Sequence, residues 1–202
     1  MKGKIAEILL DINAVELRPD DPFTWSSGIV SPIYCDNRKV IGDVHARAEI
    51  ADAFTSLIER HAPDVEVIAG TSTAGIPHAA YISERMNLPM CYVRGSRKKH
   101  GKGNQIEGAD VSGRKVVVIE DLISTGGSSL EAVWALRENG AEVMSVFAIF
   151  TYGIKKAADA FEAAEVSFHT LSGLDALLDI SMKKGTLDEG NKQAVIDFKN
   201  SL

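Results

Sequence analysis

The chain has 202 residues, 45% of them hydrophobic and 25% charged, which favours one α/β domain with a sizeable core. Its net charge of −6 argues against generic binding to nucleic acid or to an anionic membrane. Two cysteines do not make a disulfide framework, and no apolar run approaches the roughly 18 residues of a membrane span, so we expect a cytoplasmic protein without nucleic-acid or membrane partners.

The first predicted elements in chain order are a helix, a set of short strands and a second helix. Apolar residues recur at helical spacing from Ile5 to Ile12. Residues 15–37 are rich in Pro, Ser, Gly and aromatic side chains, which predicts short strands joined by turns. Residues 44–60 then predict a helix whose apolar face packs inward.

Strands alternate with helices along the rest of the chain. Strands are predicted over 65–69, 89–93, 116–119, 143–150 and 166–169, and helices over 76–86, after 129, over 154–164 and near the C-terminus. This order predicts a doubly wound, mostly parallel sheet with helices on both faces. Ligands of such sheets gather at the carboxyl ends of the strands, where the turns 70–75, 94–108 and 120–129 are expected to meet.

The turn 120–129 carries the strongest functional signal. It follows four buried β-branched residues and opens with the acids Glu120 and Asp121. The hydroxyl residues Ser124, Thr125, Ser128 and Ser129 surround Gly126 and Gly127. Backbone N–H groups at a helix start favour a phosphate, and carboxylates suit sugar hydroxyls, so the turn favours a sugar phosphate. The alternative is an ordinary helix cap, but one capping residue is enough for that purpose.

The other two turns carry weaker signals. The segment 94–108 has four glycines and a basic cluster made of Arg94, Arg97, Lys98, Lys99, His100 and Lys102. This composition predicts a loop that closes over a polyanion; a solvated basic loop or an RNA-binding loop remain alternatives. The turn 70–75 is either a plain turn or a second anion site. Of the lone residues, Trp134 is expected to pack in the core and Cys91 to be buried and inert.

Three stretches together resemble a known family. Residues 117–129 resemble the phosphoribosyl pyrophosphate fingerprint of the type I phosphoribosyltransferases. Residues 23–34 are similar to the base-binding hood of the orotate-using branch of that family. Residues 94–108, with Lys98 two positions before His100, are similar to its catalytic loop. The likeness spans about residues 10–151.

The resemblance implies a fold, a reaction and an assembly. The fold would be one phosphoribosyltransferase domain over residues 1–202, with an N-terminal hood at about 1–40. The reaction would transfer ribose 5-phosphate from phosphoribosyl pyrophosphate to orotate, giving orotidine 5′-monophosphate and pyrophosphate on the route to UMP. It would need Mg²⁺. The enzyme would be a homodimer whose catalytic loop acts across the interface, where Arg94, Lys98 and His100 would contact the pyrophosphate.

The resemblance also implies the site residues. The catalytic residues would be Lys98, His100 and Asp121. Phosphoribosyl pyrophosphate would be bound by Arg94, Lys98, His100, Glu120, Asp121, Leu122, Ile123, Ser124, Thr125, Gly126, Gly127 and Ser128. Ser124 would also lie near orotate, and no residue is assigned as a metal ligand.

The chain departs from the enterobacterial pattern at four positions. Ser26, Ala74 and Gly95 replace lysines, and Tyr152 replaces an arginine that helps to bind orotate. The partner of the orotate carboxylate is therefore left open between backbone amides of the hood and Arg38. A purine phosphoribosyltransferase, or a regulator that senses phosphoribosyl pyrophosphate, are alternative functions. The first would not need the hood, and the second should carry a basic face or an added DNA-binding domain.

Overall fold

A computed structural model describes residues 1–24, 28, 30–95 and 105–202. Its helices are α1 (Lys2–Asp11), α2 (Lys39–Gly42), α3 (Val44–His61), α4 (Gly75–Met86), α5 (Gly127–Glu138), α6 (Lys155–Ala163), α7 (Leu174–Lys183) and α8 (Glu189–Ser201). Its strands are β1 (Val15–Leu17), β2 (Phe23–Thr24), β3 (Val30–Ser31), β4 (Ile33–Cys35), β5 (Val67–Thr71), β6 (Met90–Val93), β7 (Ile106–Gly108), β8 (Lys115–Ile123), β9 (Glu142–Thr151) and β10 (Ser167–Thr170). None of the helices in these ranges is long and apolar enough to cross a membrane.

The central sheet has the strand order β10-β9-β8-β5-β6-β7. All neighbouring strands run parallel except β7, which pairs antiparallel with β6 at the sheet edge. This confirms the predicted doubly wound, mostly parallel α/β fold. The expectation of a loop throughout 94–108 is wrong for residues 106–108. These residues form strand β7, because their backbone groups hydrogen-bond to those of β6.

Helices cover both faces of this sheet and create two cores. Strand β8 shows the division: Val117 and Ile119 join one core, whereas Val116 and Val118 join the other. The first core also receives apolar side chains from α1, α3, α4 and α7, and the second receives them from α5 and α6. A central parallel strand is buried on both sides in this way, which explains its unbroken apolar run.

The composition of 15–37 predicts short strands, and in the structure these strands form two antiparallel pairs. Strand β1 pairs with β4, and β2 pairs with β3. The ring of Phe23 packs at 5.4 Å from the ring of Tyr34, and the guanidinium of Arg18 lies 4.8 Å from the centre of the Phe23 ring. These contacts fold the β2–β3 pair back toward β4. Residues 25–27 and 29 lie outside the described chain.

Two expectations about individual positions are corrected by the structure. Glu120 and Asp121 lie on β8 rather than in a turn, because β8 continues to pair with β9 as far as Ile123. Trp134 is 48% exposed and is not a core residue. It lies on the side of α5 away from the sheet, with the guanidinium of Arg137 at 5.1 Å from its ring. Cys91 is buried as predicted.

Candidate functional site

The candidate site lies where β5 and β8 end side by side. Pairing between these strands stops at Gly70 and Ile119, whereas β8 stays paired with β9 up to Ile123. The last residues of β8 therefore have an open flank. Helix α4 begins after β5 and helix α5 begins after β8, so two helix N-termini face the same edge of the sheet. Each contributes unpaired N–H groups and a partial positive charge.

The start of α5 has the geometry of an anion site. Gly126 precedes the helix with a φ of +86°, and no side chain of the described residues caps the first turn. A Cβ on Gly126 would lie 2.7 Å from a ring carbon of Phe161, so glycine is required for space as well as for conformation. Thr125 and Ser128 are exposed at this turn, and Ser124 is half-buried. The predicted residue Ile123 is buried, and its carbonyl accepts a hydrogen bond from the Thr151 hydroxyl at 3.0 Å.

The carboxylate of Glu120 is buried and fully engaged by neighbouring donors. Its Oε1 accepts hydrogen bonds from the Thr71 hydroxyl at 2.8 Å and from the Asp121 amide at 3.0 Å. Its Oε2 accepts from the hydroxyls of Ser128 and Ser129, each at 3.1 Å. A carboxylate that is 5% exposed needs such partners, because burial without them is costly.

Asp121 has a different environment from its neighbour. Burial, together with the hydrogen bond and the charge of Glu120, raises the pKa of Asp121 from 3.8 to about 7. Its backbone carbonyl accepts a hydrogen bond from Asn37 Nδ2 at 2.7 Å, which ties β8 to the segment after β4. It lines a cavity of about 420 Å³ together with Arg38 and Thr73. Asp121 is thus the member of the acidic pair that faces open space.

The segment from Thr71 to Gly75 forms the other wall of the site. A Cβ on Gly75 would collide with the Ile119 carbonyl oxygen and with the Thr71 hydroxyl, so this glycine lets the turn press against β8. Ser72 is held on its other side, where its amide donates to the Val93 carbonyl at 3.0 Å. The turn is therefore fixed between β8 and β6. This turn places the N-terminus of α4 at the cavity.

Arg94 lies beside this wall. Its guanidinium is 3.2 Å from the carboxylate of Glu107. Arg94 also lines a small cavity of about 40 Å³ together with Ser72 and Ser128. The structure thus brings Arg94 to the phosphate-type turns of its own chain. The predicted catalytic residues Lys98 and His100 lie outside the described residues.

Cys35, Tyr152 and Arg38 lie around Asp121. Burial, together with the negative charge of Asp121, raises the pKa values of the Cys35 thiol and the Tyr152 phenol well above their ordinary range, so both stay neutral. The ring of Tyr152 packs edge-on against Phe150 at 5.8 Å. Arg38, one of the two candidates for the orotate carboxylate, pairs with Asp36 at 2.6 Å on the cavity wall.

Three buried polar side chains that build the site are absent from the site residues predicted from the sequence. Thr71 and Ser129 hold the Glu120 carboxylate, and Asn37 holds the end of β8. Thr71 and Ser129 stand inside turns that the sequence singles out, but their partner depends on which strands are adjacent. Asn37 gives no signal of its own in the sequence.

The comparisons with known proteins agree with this geometry. Residues 40–172 match the family model described as phosphoribosyl transferase domain. The chain is 55% identical, over all 202 residues and the full length of the relative, to an orotate phosphoribosyltransferase of Staphylococcus saprophyticus. A solved UMP synthase of Leishmania donovani aligns with 99% of this chain, at a TM-score of 0.81 and 31% identity; the match spans 42% of that longer chain.

A third comparison includes a bound ligand. The orotate phosphoribosyltransferase of Mycobacterium tuberculosis, solved in complex with 5-phospho-α-D-ribosyl 1-diphosphate, aligns at a TM-score of 0.70 and 28% identity. The alignment covers 87% of this chain and 97% of that one.

Proposed function

The chain belongs to the phosphoribosyl transferase family, and from that premise we propose the reaction of its orotate-using branch. The chain is an orotate phosphoribosyltransferase, a pentosyltransferase that joins orotate to the ribose 5-phosphate of phosphoribosyl pyrophosphate in pyrimidine biosynthesis. The observation that carries this conclusion is the 55% identity over the full length of a relative with that activity in its name. The edge of the sheet offers the donors that such a substrate requires.

The donor would bind along the edge between α5 and α4. Its 5′-phosphate would take the N–H groups of residues 124–128, where the helix start supplies positive charge without a lysine. The ribose hydroxyls would donate to Asp121 at the end of β8, because the neighbouring Glu120 carboxylate already accepts four hydrogen bonds. The pyrophosphate would lie against the 71–75 turn and the N-terminus of α4, with Arg94 nearby. Orotate would lie toward the 23–35 segment and Ser124.

The reaction needs no nucleophilic side chain. The bond between the ribose anomeric carbon and the pyrophosphate oxygen breaks, and its electron pair leaves with pyrophosphate. A nitrogen of orotate supplies the pair that forms the new C–N bond. Asp121 would favour the positive charge that develops on the sugar, and Arg94, Lys98 and His100 would stabilise the departing anion, so catalysis is positioning plus electrostatics.

The family resemblance implies Mg²⁺, and the residues fit an ion carried by the substrate. In the described ranges no group of three or more His, Cys, Asp or Glu side chains could hold a metal. Mg²⁺ is commonly bound through phosphate oxygens and one or two carboxylates. Asp36 is an ionised carboxylate on the cavity wall, because Arg38 lowers its pKa, and it would face such an ion. The ion would supply positive charge beside the pyrophosphate.

The assembly and the location extend the proposal. A homodimer would let the loop of one subunit place Lys98 and His100 over the neighbouring subunit's site. A cytoplasmic location suits the two free cysteines, Cys35 and Cys91.

The proposed reaction is tested by following the absorbance of orotate with purified protein, phosphoribosyl pyrophosphate and Mg²⁺. We expect orotate to be consumed and pyrophosphate to be released in equal amounts, with no release when adenine, hypoxanthine or xanthine replaces orotate. Turnover with a purine instead would establish the purine alternative. Binding of the donor without turnover on any base would favour the regulator.

A further inference from the structure

The buried carboxylate of Glu120 joins the two anion-binding segments of the site. Its Oε1 accepts a hydrogen bond from the hydroxyl of Thr71, which is the last residue of β5 and the first residue of the 71–75 turn. Its Oε2 receives the hydroxyls of Ser128 and Ser129 in the first turn of α5. One side chain on β8 therefore bonds to both walls of the site.

Three members of the bridge are buried, and Ser128 is the exposed member. Thr71 is 3% exposed, Ser129 0% and Glu120 5%. The Thr71 hydroxyl lies at 3.2 Å from the Ile119 carbonyl and at 2.8 Å from the Glu120 carboxylate, and a hydrogen bond to a charged acceptor is the stronger of the two. Loss of either hydroxyl would leave the buried carboxylate short of a donor. The carboxylate would then shift toward water or toward its remaining partners.

We propose that Thr71 and Ser129 are positioning residues that act through Glu120 to fix the distance between the two anion subsites of the donor. The inference rests on the proposed function, in which phosphoribosyl pyrophosphate carries one anionic group to each segment. A ligand with two linked ends gains affinity only where the two subsites match its span. When the distance between the two subsites is fixed before binding, the whole donor binds at a lower cost in conformational entropy. A fragment that occupies one subsite gains nothing from that fixed distance.

The test compares the whole donor with its two fragments by titration calorimetry. Phosphoribosyl pyrophosphate, ribose 5-phosphate and pyrophosphate are each titrated into the wild type, Thr71→Val and Ser129→Ala at one Mg²⁺ concentration. We expect each variant to bind the whole donor about tenfold more weakly, the effect of one lost hydrogen bond to a buried charge. The dissociation constant of each fragment should change by less than about twofold.

Two further variants separate positioning from general damage. Thr71→Ser keeps the hydroxyl and should restore affinity for the whole donor. Thr55→Val removes a threonine hydroxyl that bonds within α3 to the Ala51 carbonyl, and it should bind all three ligands like the wild type. Thermal unfolding of each variant verifies that the fold is retained. If Thr71→Val does not fold, the comparison is made with Ser129→Ala alone.

The outcomes distinguish a failure of this inference from a failure of the proposed function on which it rests. If Thr71→Val weakens pyrophosphate as much as the whole donor, Thr71 contacts the ligand directly and the inference is wrong. If the variants bind the whole donor like the wild type, the bridge does not set the spacing. If the wild type itself has no affinity for phosphoribosyl pyrophosphate, the proposed function fails first.

Discussion

Glu120 and Asp121 are neighbours in sequence, but their carboxyl groups have different surroundings in the structure. The carboxylate of Glu120 accepts hydrogen bonds from Thr71 and Ser129, whereas Asp121 lines the cavity. The sequence predicts both acids as ligands of the ribose. It does not reveal that one of them already has four donors, because those donors come from separate segments of the chain.

The carboxyl of Asp121 should make the stability of the protein fall as pH rises. Its pKa is about 7 in the folded chain against an ordinary value of 3.8, so the stability it contributes is complete below about pH 4 and is lost as pH rises through 7. Asp121→Asn is neutral at every pH. We expect the Tm of the variant, relative to wild type, to be higher at about pH 8.5 than at about pH 5. Orotate turnover should fall, since the ribose loses a negatively charged acceptor. An equal Tm difference at both pH values would contradict the assignment.

His78 should have the opposite effect on stability. The centre of its ring lies 6.4 Å from the ring centres of Phe54 and of Tyr81. Neither of its ring nitrogens has a hydrogen-bond partner within the described part of the chain. Burial lowers the pKa of His78 from 6.5 to about 4, so stability is lost as pH falls from about 6.5 toward 4. We expect His78→Leu to raise Tm, and to raise it more at about pH 5 than at about pH 8. Thermal unfolding at both pH values measures this, and a larger gain at the higher pH would refute it.

At the scale of elements, periodicity predicts the type of each helix and strand better than its ends. The apolar run 116–119 predicts a buried strand, but β8 continues to Ile123 because β9 supplies a ladder partner that no local pattern reveals. Likewise, Gly70 and Thr71 belong to β5 rather than to a turn, because they pair with Tyr92 and Val93 of β6. At α5, glycines and hydroxyls predict a helix after 129, and the helix begins slightly earlier, at Gly127.

The start of α5 should not tolerate a side chain at Gly126. A Cβ there would meet Phe161 at 2.7 Å in addition to the strain of a positive φ. Gly113 has a φ of +69° but open space around its Cβ position, so Gly113→Ala carries the strain alone and serves as the matched control. We expect Gly126→Ala to lower the free energy of unfolding more than Gly113→Ala, by about 1–3 kcal/mol, in urea denaturation. Ribose 5-phosphate should bind more weakly only to Gly126→Ala. Equal losses of stability would mean that contact with Phe161 does not matter.

At the scale of the whole molecule, the alternation of strands and helices predicts the sheet, its mostly parallel direction and the edge where the site lies. It does not give the strand order, which decides that β5 and β8 are adjacent and that Thr71 meets Glu120. The antiparallel β7 is also missed, because three residues at an edge carry too little pattern. The single domain over residues 1–202 stays a prediction.

The proposed dimer is tested by combining two impaired subunits. A heterodimer of Asp121→Asn and Lys98→Ala subunits is isolated through two different tags. If the loop acts across the interface, one site of this heterodimer has both defects and the other has neither, so about half of the wild-type activity should return. If each loop serves its own subunit, both sites are impaired and no activity returns. The two homodimers of the single variants give the baseline.

The most direct test of the account is a crystal structure of the protein soaked with phosphoribosyl pyrophosphate. We predict the 5′-phosphate at about 3 Å from the backbone nitrogens of residues 124–128, with the ribose hydroxyls at Asp121. The pyrophosphate should lie against the 71–75 turn. A donor bound elsewhere, or with its ends reversed between α4 and α5, would contradict the account.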